Sequence, residues 1–421
     1  MEVLIQAFIL VLFAQWENCI EAGSLETSQI TQAENSCFPF DEMKPSHLLY
    51  TGNSTSGTVP VLQFKISEIT SFESEFEVRT FDPEGIIFFG DMGGEHNWFL
   101  LALHENLLEI QIQNNVARAT VDMGLNISDG EWRKITVLKQ DSSVIVKVGN
   151  ERVLKVFEPG LHTDINREAG FLRIAIGALF PNSSMTLAFK PHFDGCLRNW
   201  NWVKKDAGIL KQLLESSESQ RCWQNIAPGT YFPGFGAGVF ESQVFFSNST
   251  DPDAEGWNLV VELAFRPVVD HGVLFAIVDS QNNISFSVSM DRTTKNLILT
   301  IGNRIAGSLN SPPSLCSGES QFQQLTLTET KLNMIWGTDE KMWNISGESF
   351  EALQSAWKQP GTMVSLGGLP ESCSAAASSY FHGCMQVKIQ GNPVDLDKAS
   401  VKHGGIRSHS CPSTLDLGDG K

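Results

Sequence analysis

The sequence of 421 residues is short of positive charge, with 30 lysine and arginine residues against 48 aspartate and glutamate residues. The resulting formal charge of −18 disfavours nucleic acids and anionic membranes as partners, because like charges repel each other. The acidic residues are spread along the chain and do not form the long block typical of a disordered acidic tail. We therefore interpret this charge as a contribution to solubility.

Long apolar runs are also lacking, since no segment after the first residues supplies about 18 continuous apolar side chains. Residues 3–14 read VLIQAFILVLFA, a stretch of signal-peptide length that is too short to cross a bilayer. Ala14 and Ala22 are two candidate cleavage points. We predict a signal peptide over residues 1–22, an N-terminal segment over 23–44, and a mature extracellular chain without a membrane span.

Catalytic motifs are missing as well. The chain contains no GxSxG elbow, and His104-Glu105 lacks the second histidine of an HExxH metal motif. Residues 234–238 are glycine-rich but open no recognisable helix, which argues against a nucleotide-binding loop. We expect a protein that is not an enzyme.

The eight cysteines show no pair at the two-residue spacing of zinc or redox motifs, so disulfides are the favoured use. Two short loops of nearly equal length predict the bridges Cys196–Cys222 and Cys384–Cys411, and Cys316–Cys373 is the candidate for a third. Cleavage after residue 22 would remove Cys19 and leave Cys37 without an obvious partner, whereas cleavage after residue 14 would keep both.

Glycosylation signals also fit a secreted chain. Six asparagines begin an N-x-S/T sequence whose middle residue is not proline: Asn53, Asn126, Asn182, Asn248, Asn283 and Asn344.

An internal repeat organises the chain. Gly85–Phe88 matches Gly272–Phe275 at a shift of 187 residues, and Gly195–Leu197 matches Gly383–Met385 at a shift of 188. Such a long period predicts duplication of a whole domain, because solenoids repeat every 20 to 50 residues. A length of 421 residues likewise suits two domains of roughly 150 to 200 residues each. We place the domains at residues 45–224 and 225–415.

Each copy has the pattern of a sheet. Phe76 and Val78 alternate with polar residues, as do Ile110 and Ile112, which predicts strands with one solvent-exposed face. Residues 144–154 predict a hairpin around Gly149-Asn150, and residues 259–265 predict a strand of the second copy. The best helical candidate is the short segment Lys204–Glu215. Many strands and few helices predict β-sandwiches.

Several segments resemble the sex hormone-binding globulin family. They are FEVRTFDPEGIIFFGD (Phe76–Asp91), NWFLLAL (Asn97–Leu103), EIQIQNN (Glu109–Asn115), DGEW (Asp129–Trp132), RIAIGALFP (Arg173–Pro181) and FDGCLRN (Phe193–Asn199). The likeness extends from about residue 62 to residue 411 and is densest in the first half. It implies an all-β protein of two tandem laminin G-like, jelly-roll type antiparallel β-sandwiches.

The function implied by this resemblance is that of a secreted plasma carrier for androgens and oestrogens, which bind between the sheets of the first domain. The alternative is an adhesive or signalling laminin G-like pair that binds proteins or glycans. The residues that align with the family's steroid site are Ser74, Asn97, Phe99, Asn114, Val137, Lys139 and Leu172. Because an unpaired buried ammonium is costly, Lys139 is expected to extend its charge to the pocket mouth.

The resemblance also implies a structural calcium ion, held by Asp82, Glu84 and the backbone carbonyl of His192. On spacing alone, the sequence Asp-Pro-Glu-Gly at 82–85 is typical of a turn. The family's zinc site would align with Asn97 and Asn115, which are poor zinc ligands, so no zinc site is predicted. A homodimer formed through the first domain is expected from the same resemblance.

Overall fold

Alternating apolar and polar residues form antiparallel strands through the described part of the chain. In the computed structural model this part comprises residues 37, 48–52, 59–92, 97–113, 118–121, 124–140, 142–157, 170–181, 183, 185, 187, 190–205, 210, 221–246, 257–302, 304–373 and 380–413. The predicted signal peptide lies outside it. No helix of the described residues is long and apolar enough to cross a membrane.

The described residues of the first sandwich form twelve strands in two six-stranded sheets. The strands are β1 (Leu49–Tyr50), β2 (Val61–Lys65), β3 (Glu73–Thr80), β4 (Gly85–Asp91), β5 (Trp98–His104), β6 (Leu107–Gln113), β7 (Arg118–Val121), β8 (Arg133–Gln140), β9 (Ser143–Val148), β10 (Glu151–Phe157), β11 (Phe171–Ile176) and β12 (Gly195–Asn201). One sheet has the order β1-β12-β3-β8-β9-β10, and the other has the order β2-β11-β4-β5-β6-β7. The predicted hairpin is the pair β9–β10, which turns at Gly149 with a φ of 60°.

The second sandwich follows after a short strand β13 (Ile226–Ala227). Its strands are β14 (Thr230–Pro233), β15 (Gly238–Glu241), β16 (Leu259–Pro267), β17 (Gly272–Val278), β18 (Ile284–Met290), β19 (Asn296–Ile301), β20 (Arg304–Asn310), β21 (Gln321–Leu327), β22 (Lys331–Trp336), β23 (Asp339–Asn344), β24 (Met363–Leu366), β25 (His382–Ile389), β26 (Asn392–Pro393) and β27 (Val401–Lys402). A last strand β28 (Cys411–Pro412) pairs with β13.

The two sandwiches have the same topology. The second orders its strands as β14-β25-β16-β21-β22-β23, with β26 on β25, and as β20-β19-β18-β17-β24-β15-β27. Strands β14 to β25 therefore correspond, in the same order, to strands β1 to β12 of the first sandwich. Strands β26 and β27 are additions to the second sandwich. The predicted fold class, two laminin G-like antiparallel sandwiches, is confirmed.

A glycine corner recurs at matching positions of the repeat. Gly177 and Gly367 have φ values of 80° and 74°, a region that favours glycine. Their N–H groups donate to the carbonyls of Ile87 and Leu274 over 3.0 and 3.1 Å. A Cβ at position 177 would stand 2.6 Å from Cβ of Thr51. The repeated sequence thus encodes one backbone geometry twice.

Aromatic rings fill the space between the sheets. In the first sandwich the Phe76 ring lies 5.7 Å from that of Phe88 and 5.1 Å from that of Trp202. In the second, the Phe265 ring lies 6.2 Å from the rings of Phe381 and Trp336. Burial of such large apolar surfaces is the main favourable term in folding.

The expected solvent-exposed faces are partly covered. Gln111 is only 7% exposed, and Arg79 is only 6% exposed. The Arg79 guanidinium donates to the carbonyls of Trp223 and Gln224 over 2.8 and 2.9 Å. The alternation of apolar and polar residues predicted the strands correctly. It predicted the solvent exposure of the polar side chains wrongly, because other segments of the chain pack on the outer faces of the sheets.

Helix α1 (Gly347–Lys358) lies in the second sandwich, where the sequence analysis predicted none. Its first turn is capped by the Ser346 hydroxyl, which accepts from the Ser349 N–H over 3.2 Å. Phe350 and Trp357 face the core at helical spacing. The predicted helix does not include Lys204, whose φ is 56°, and most of the segment that follows lies outside the described residues.

Three disulfides link the described cysteines. Cys196–Cys222 and Cys384–Cys411 form as predicted. Cys316 bonds to Cys37 and not to Cys373, which is a buried free thiol. The third prediction was wrong because Cys37 approaches the second sandwich, where its N–H donates to the Val268 carbonyl over 2.6 Å.

The Cys37–Cys316 bond should contribute measurably to stability. We expect the double variant Cys37→Ser/Cys316→Ser to lose about 2–5 kcal/mol of unfolding free energy, because the bond restricts the unfolded chain. Urea denaturation of the non-reduced protein measures this change. Cys373→Ala is the control and should cost less, because Cys373 is a free thiol and its removal leaves the unfolded chain unchanged in its restraints; equal losses in the two variants would contradict the assignment.

Candidate functional site

The inner face of the first sandwich carries three of the residues predicted to bind a ligand. Ser74 on β3 lies directly opposite Val137 on β8, and Lys139 follows on the same face of β8. Ser74 is 8% exposed, and Val137 and Lys139 are half-buried. The pairing of β3 with β8 thus places the hydroxyl of Ser74, the apolar side chain of Val137 and the lysine side chain of Lys139 at one end of this sheet.

Two more predicted residues lie on the inner face of the opposite sheet. Leu172 on β11 is buried within the core. Phe99 on β5 is half-buried and packs edge-on against Phe88, with ring centroids 5.6 Å apart. These apolar side chains face the space between the sheets that Ser74 also faces.

Among the described residues, the Ser74 hydroxyl has one hydrogen-bond partner. Its Oγ accepts from the Val203 N–H over 3.0 Å. A serine hydroxyl can donate one hydrogen bond while it accepts others, so Ser74 can donate its proton to an oxygen of a bound molecule.

The remaining predicted residues have different outcomes. Asn97 is half-buried, and its carbonyl accepts from the Met92 N–H over 3.1 Å. Asn114 lies outside the described residues, as does Asn115. Among the predicted glycosylation sites, Asn126, Asn283 and Asn344 are exposed, while Asn53, Asn182 and Asn248 are not described.

The second sandwich presents only apolar side chains at the matching positions. The strand register makes Val261, Leu325 and Leu327 the counterparts of Ser74, Val137 and Lys139. All three are at most 2% exposed. The two sandwiches therefore differ at the predicted ligand position. In the first sandwich this end of the sheet carries polar, partly exposed side chains, whereas in the second it carries only buried apolar ones.

A second candidate site lies where the two sandwiches meet, around Asp82. Asp82 is 2% exposed and accepts from the N–H groups of Glu84 and Asp194 over 3.0 and 2.7 Å. The second sandwich contributes His409, whose Nε2 lies 3.6 Å from Asp82 Oδ1 and 3.3 Å from carboxylate oxygens of Asp395 and Asp397.

Cations compensate the carboxylates of this cluster. Burial alone would lower the pKa of the His409 imidazole, but the charges of Asp82, Asp395 and Asp397 raise it well above its usual range. Burial would raise the pKa of Asp397, but His409 and Lys402 hold it well below its usual range. Burial holds the pKa of Asp82 well above its usual range.

The cluster fits a metal ion. One ligand atom each from Asp82, Asp397 and His409 lies within 4.8 Å of the others. The His409 Nε2 is buried, and no group of the described residues meets it with hydrogen-bond geometry. Carboxylate oxygens and an imidazole nitrogen are common ligands of divalent metal ions in proteins. Asp82, Asp397 and His409 thus form an acidic site that could hold a metal.

The predicted calcium residues are only partly gathered here. Asp82 is central. The His192 carbonyl lies beside Gly85, the last residue of the same turn, 2.5 Å from where a Cβ of that glycine would stand. The Glu84 carboxylate is not among the clustered ligand atoms. Sequence reasoning missed Asp397 and His409, although Asp395 and Asp397 have the one-residue spacing of Asp82 and Glu84.

Further contacts fasten the two sandwiches around this cluster. Asp194 of the first accepts from the His409 N–H and the Ser410 hydroxyl over 3.0 and 2.6 Å. The Arg407 guanidinium lies between the rings of Tyr50 and Trp223, 3.9 and 4.1 Å from their centroids. The described residues accordingly belong to one compact unit.

Comparisons with known proteins agree with this architecture. The laminin G domain model matches residues 78–208. Vitamin K-dependent protein S of Oryctolagus cuniculus is 32% identical over 90% of this chain, which spans 59% of that protein's length. Sex hormone-binding globulin of Crocuta crocuta is 30% identical over 86% of this chain and 88% of its own length. The chain belongs to the laminin G domain family.

Laminin itself shares the fold at lower identity. Domains LG4-5 of the mouse laminin α1 chain superpose with a TM-score of 0.60 at 18% identity, over 92% of this chain and 100% of that one. One of the relatives named above is a hormone-binding globulin by name, and this laminin G protein is non-enzymatic. Its three disulfides fit an oxidising, extracellular environment.

The raised pKa of His409 predicts a specific pH dependence when metal is chelated. Because the pKa of His409 is raised in the folded protein, this residue stabilises the fold fully at pH values below its pKa in the unfolded chain, about 6.5. The stabilisation is lost as pH rises through the pKa in the folded protein. Because the pKa of Asp397 is lowered in the folded protein, this residue stabilises the fold at pH values above about 4, its pKa in the unfolded chain. The stabilisation is lost as pH falls through the pKa in the folded protein. The pair of His409 and Asp397 should therefore contribute most to stability near pH 5–6, whereas the raised pKa of Asp82 makes its ionisation oppose folding as pH rises.

Replacing His409 should remove the alkaline part of this dependence. We expect His409→Gln to lose about 3–5 kcal/mol of unfolding free energy at pH 6, because buried carboxylates lose their partner, and less at pH 9. Urea titrations with EDTA at both pH values measure the difference. His403→Gln is the control, since that imidazole packs against Phe235 outside the cluster; the same pH dependence in both variants would refute this role of His409.

Proposed function

We propose that this laminin G protein is a secreted plasma carrier that binds androgens and oestrogens between the sheets of its first sandwich. The observation that carries the proposal is the difference between the two copies. Ser74 and Lys139 stand in the first where Val261 and Leu327 close the second. A buried polar group is costly unless it is hydrogen-bonded. The Ser74 oxygen is met by the Val203 N–H, and a ligand oxygen would accept the hydroxyl proton.

The chemistry of a steroid matches this end of the sandwich. A steroid is a rigid apolar plate with an oxygen at each end. Burial of roughly 400 Å² at about 25 cal/mol per Å² would supply on the order of 10 kcal/mol before the costs of association. Phe99, Val137 and Leu172 supply apolar walls from both sheets, and the Ser74 hydroxyl can fix one oxygen. The name of one relative, sex hormone-binding globulin, points to the same class of ligand.

A second candidate function is binding of proteins or glycans, as in an adhesive or signalling laminin G pair. The exposed apolar side chains of the second sandwich favour it: Ile305 on β20 and Met342 on β23 are 68% and 61% exposed. Both strands are sheet edges, and sheet edges with apolar side chains often receive another chain. The 32% identity to protein S is compatible with this role.

We further propose that calcium occupies the acidic site between the sandwiches. Asp82 and Asp397 supply carboxylate oxygens from the two sandwiches, and the His192 carbonyl is a candidate third donor. When bound, the ion would supply positive charge that offsets the buried carboxylates. Homodimerisation through an edge of the first sandwich is proposed from the family resemblance alone.

Steroid retention tests the carrier function. We expect the purified full chain to retain tritiated dihydrotestosterone or oestradiol after charcoal treatment. Ser74→Ala should weaken binding about 10-fold, because one buried hydrogen bond of roughly 1.4 kcal/mol is lost. Ser143→Ala is the matched control, since Ser143 is also buried but lies on the outer face. No retention by the parent chain would leave the protein-binding function as the better candidate.

Metal addition tests the calcium site. We expect millimolar calcium to raise the melting temperature of EDTA-treated protein by several degrees, because binding to the folded state alone stabilises it. Asp397→Asn should abolish the rise, whereas Asp270→Asn, a carboxylate paired with Lys295 in the second sandwich, should keep it. A larger effect from zinc or manganese than from calcium would contradict the choice of metal, since His409 suits those ions.

A further inference from the structure

A pocket opens at the Ser74 end of the first sandwich, where β2 ends and β11 begins. Its volume is about 330 Å³, and its lining is formed by Gln63, Phe64, Lys65, Glu68, Phe171 and Lys205. This volume is at the lower end of those that hold small molecules. Phe171 is 43% exposed, so part of the pocket wall is apolar and accessible.

The pocket adjoins the proposed steroid position. Phe64 pairs across the sheet with Leu172 and packs against the inner core. Lys205 follows Val203 by two residues, and the Val203 N–H is the group that donates to the Ser74 Oγ. The Lys205 N–H donates to the Trp202 carbonyl over 2.8 Å, which fixes this turn beside Ser74. A molecule held at Ser74 would thus extend toward the pocket.

The charge of the pocket is positive, although the chain as a whole is strongly acidic. Lys65 pairs with Glu68 over 3.5 Å, and both side chains are about 60% exposed. Lys205 has no carboxylate of the described residues within ion-pair distance, whereas the neighbouring Lys204 pairs with Glu73 over 2.7 Å. One ammonium group therefore remains available beside two phenylalanine rings.

We propose that this pocket binds the anionic group of a conjugated steroid, such as a sulfate ester carried on the end of the steroid plate that lies at Ser74. This proposal rests on the proposed carrier function and extends it from neutral steroids to amphipathic steroid anions. The plate would lie between the sheets, the inward-facing phenyl ring of Phe64 would cover its projecting end, and the ammonium group of Lys205 would contact the anion. Phe171 and Lys65, which face outward on β11 and β2, would line the outer part of the pocket. An exposed pair of this kind is screened by salt.

Binding of neutral and sulfated steroids to the full chain tests the proposal. Oestradiol, oestrone 3-sulfate and oestradiol 17-sulfate would be titrated at low salt, because the two esters carry the anion at opposite ends of the plate. We expect one of the two esters to bind, and Lys205→Gln to weaken that ester about fivefold while leaving oestradiol unchanged. Lys204→Gln is the matched control and should change neither affinity, and Lys205→Arg should restore ester binding.

The outcomes separate the pocket from the carrier function. If oestradiol binds but both esters are excluded, or if Lys205→Gln binds the ester as tightly as the parent chain does, the pocket proposal is overturned and the carrier function stands. If no steroid binds, both are overturned. Loss of the Lys205 effect in about 0.5 M salt would support an electrostatic contact, because the Debye length is then only a few ångströms.

Discussion

The two halves of this protein are held together by carboxylates that neither half could bury alone. Asp82 and Asp194 come from the first sandwich and are at most 3% exposed. A buried carboxylate is stable only with partners. The second sandwich supplies them: an imidazole from His409, and donors from the His409 backbone and Ser410. The relative position of the sandwiches therefore follows from charge compensation as much as from apolar contact.

The duplication explains why one fold carries two different sites. Both copies have the same strand order, and Gly177 and Gly367 give them the same backbone geometry at one corner. Side chains on that common frame can change without changing it. The end of the sheet that carries Ser74 in the first copy is closed in the second by Val261 and Leu325. The proposed ligand site and the pocket beside it therefore belong to one copy.

The strands and the repeat could be predicted because they depend on local pattern. Alternation at Phe76 and Val78 reports one buried face of a strand, and the shift of 187 residues reports duplication. Solvent exposure could not be predicted in the same way. Arg79 has the spacing of a solvent-facing residue, yet it is covered by Trp223 and Gln224 from a distant segment. Helix α1 was missed although its sequence carries a helical signal, since Phe350, Leu353 and Trp357 have the spacing of one helix face behind the cap residue Ser346.

The amino-acid sequence was enough to predict the all-β class, the duplication, two of the three disulfides among the described cysteines, and the residues that resemble a steroid site. Each depends on neighbours in the chain or on matching positions of a repeat. The folded chain was needed to show that Cys37 bonds to Cys316, that Asp82 meets Asp397 and His409, and that Lys205 lies beside the Ser74 end. These groups are far apart in sequence, and they meet because the packing of two sandwiches brings them together; no local periodicity encodes that packing.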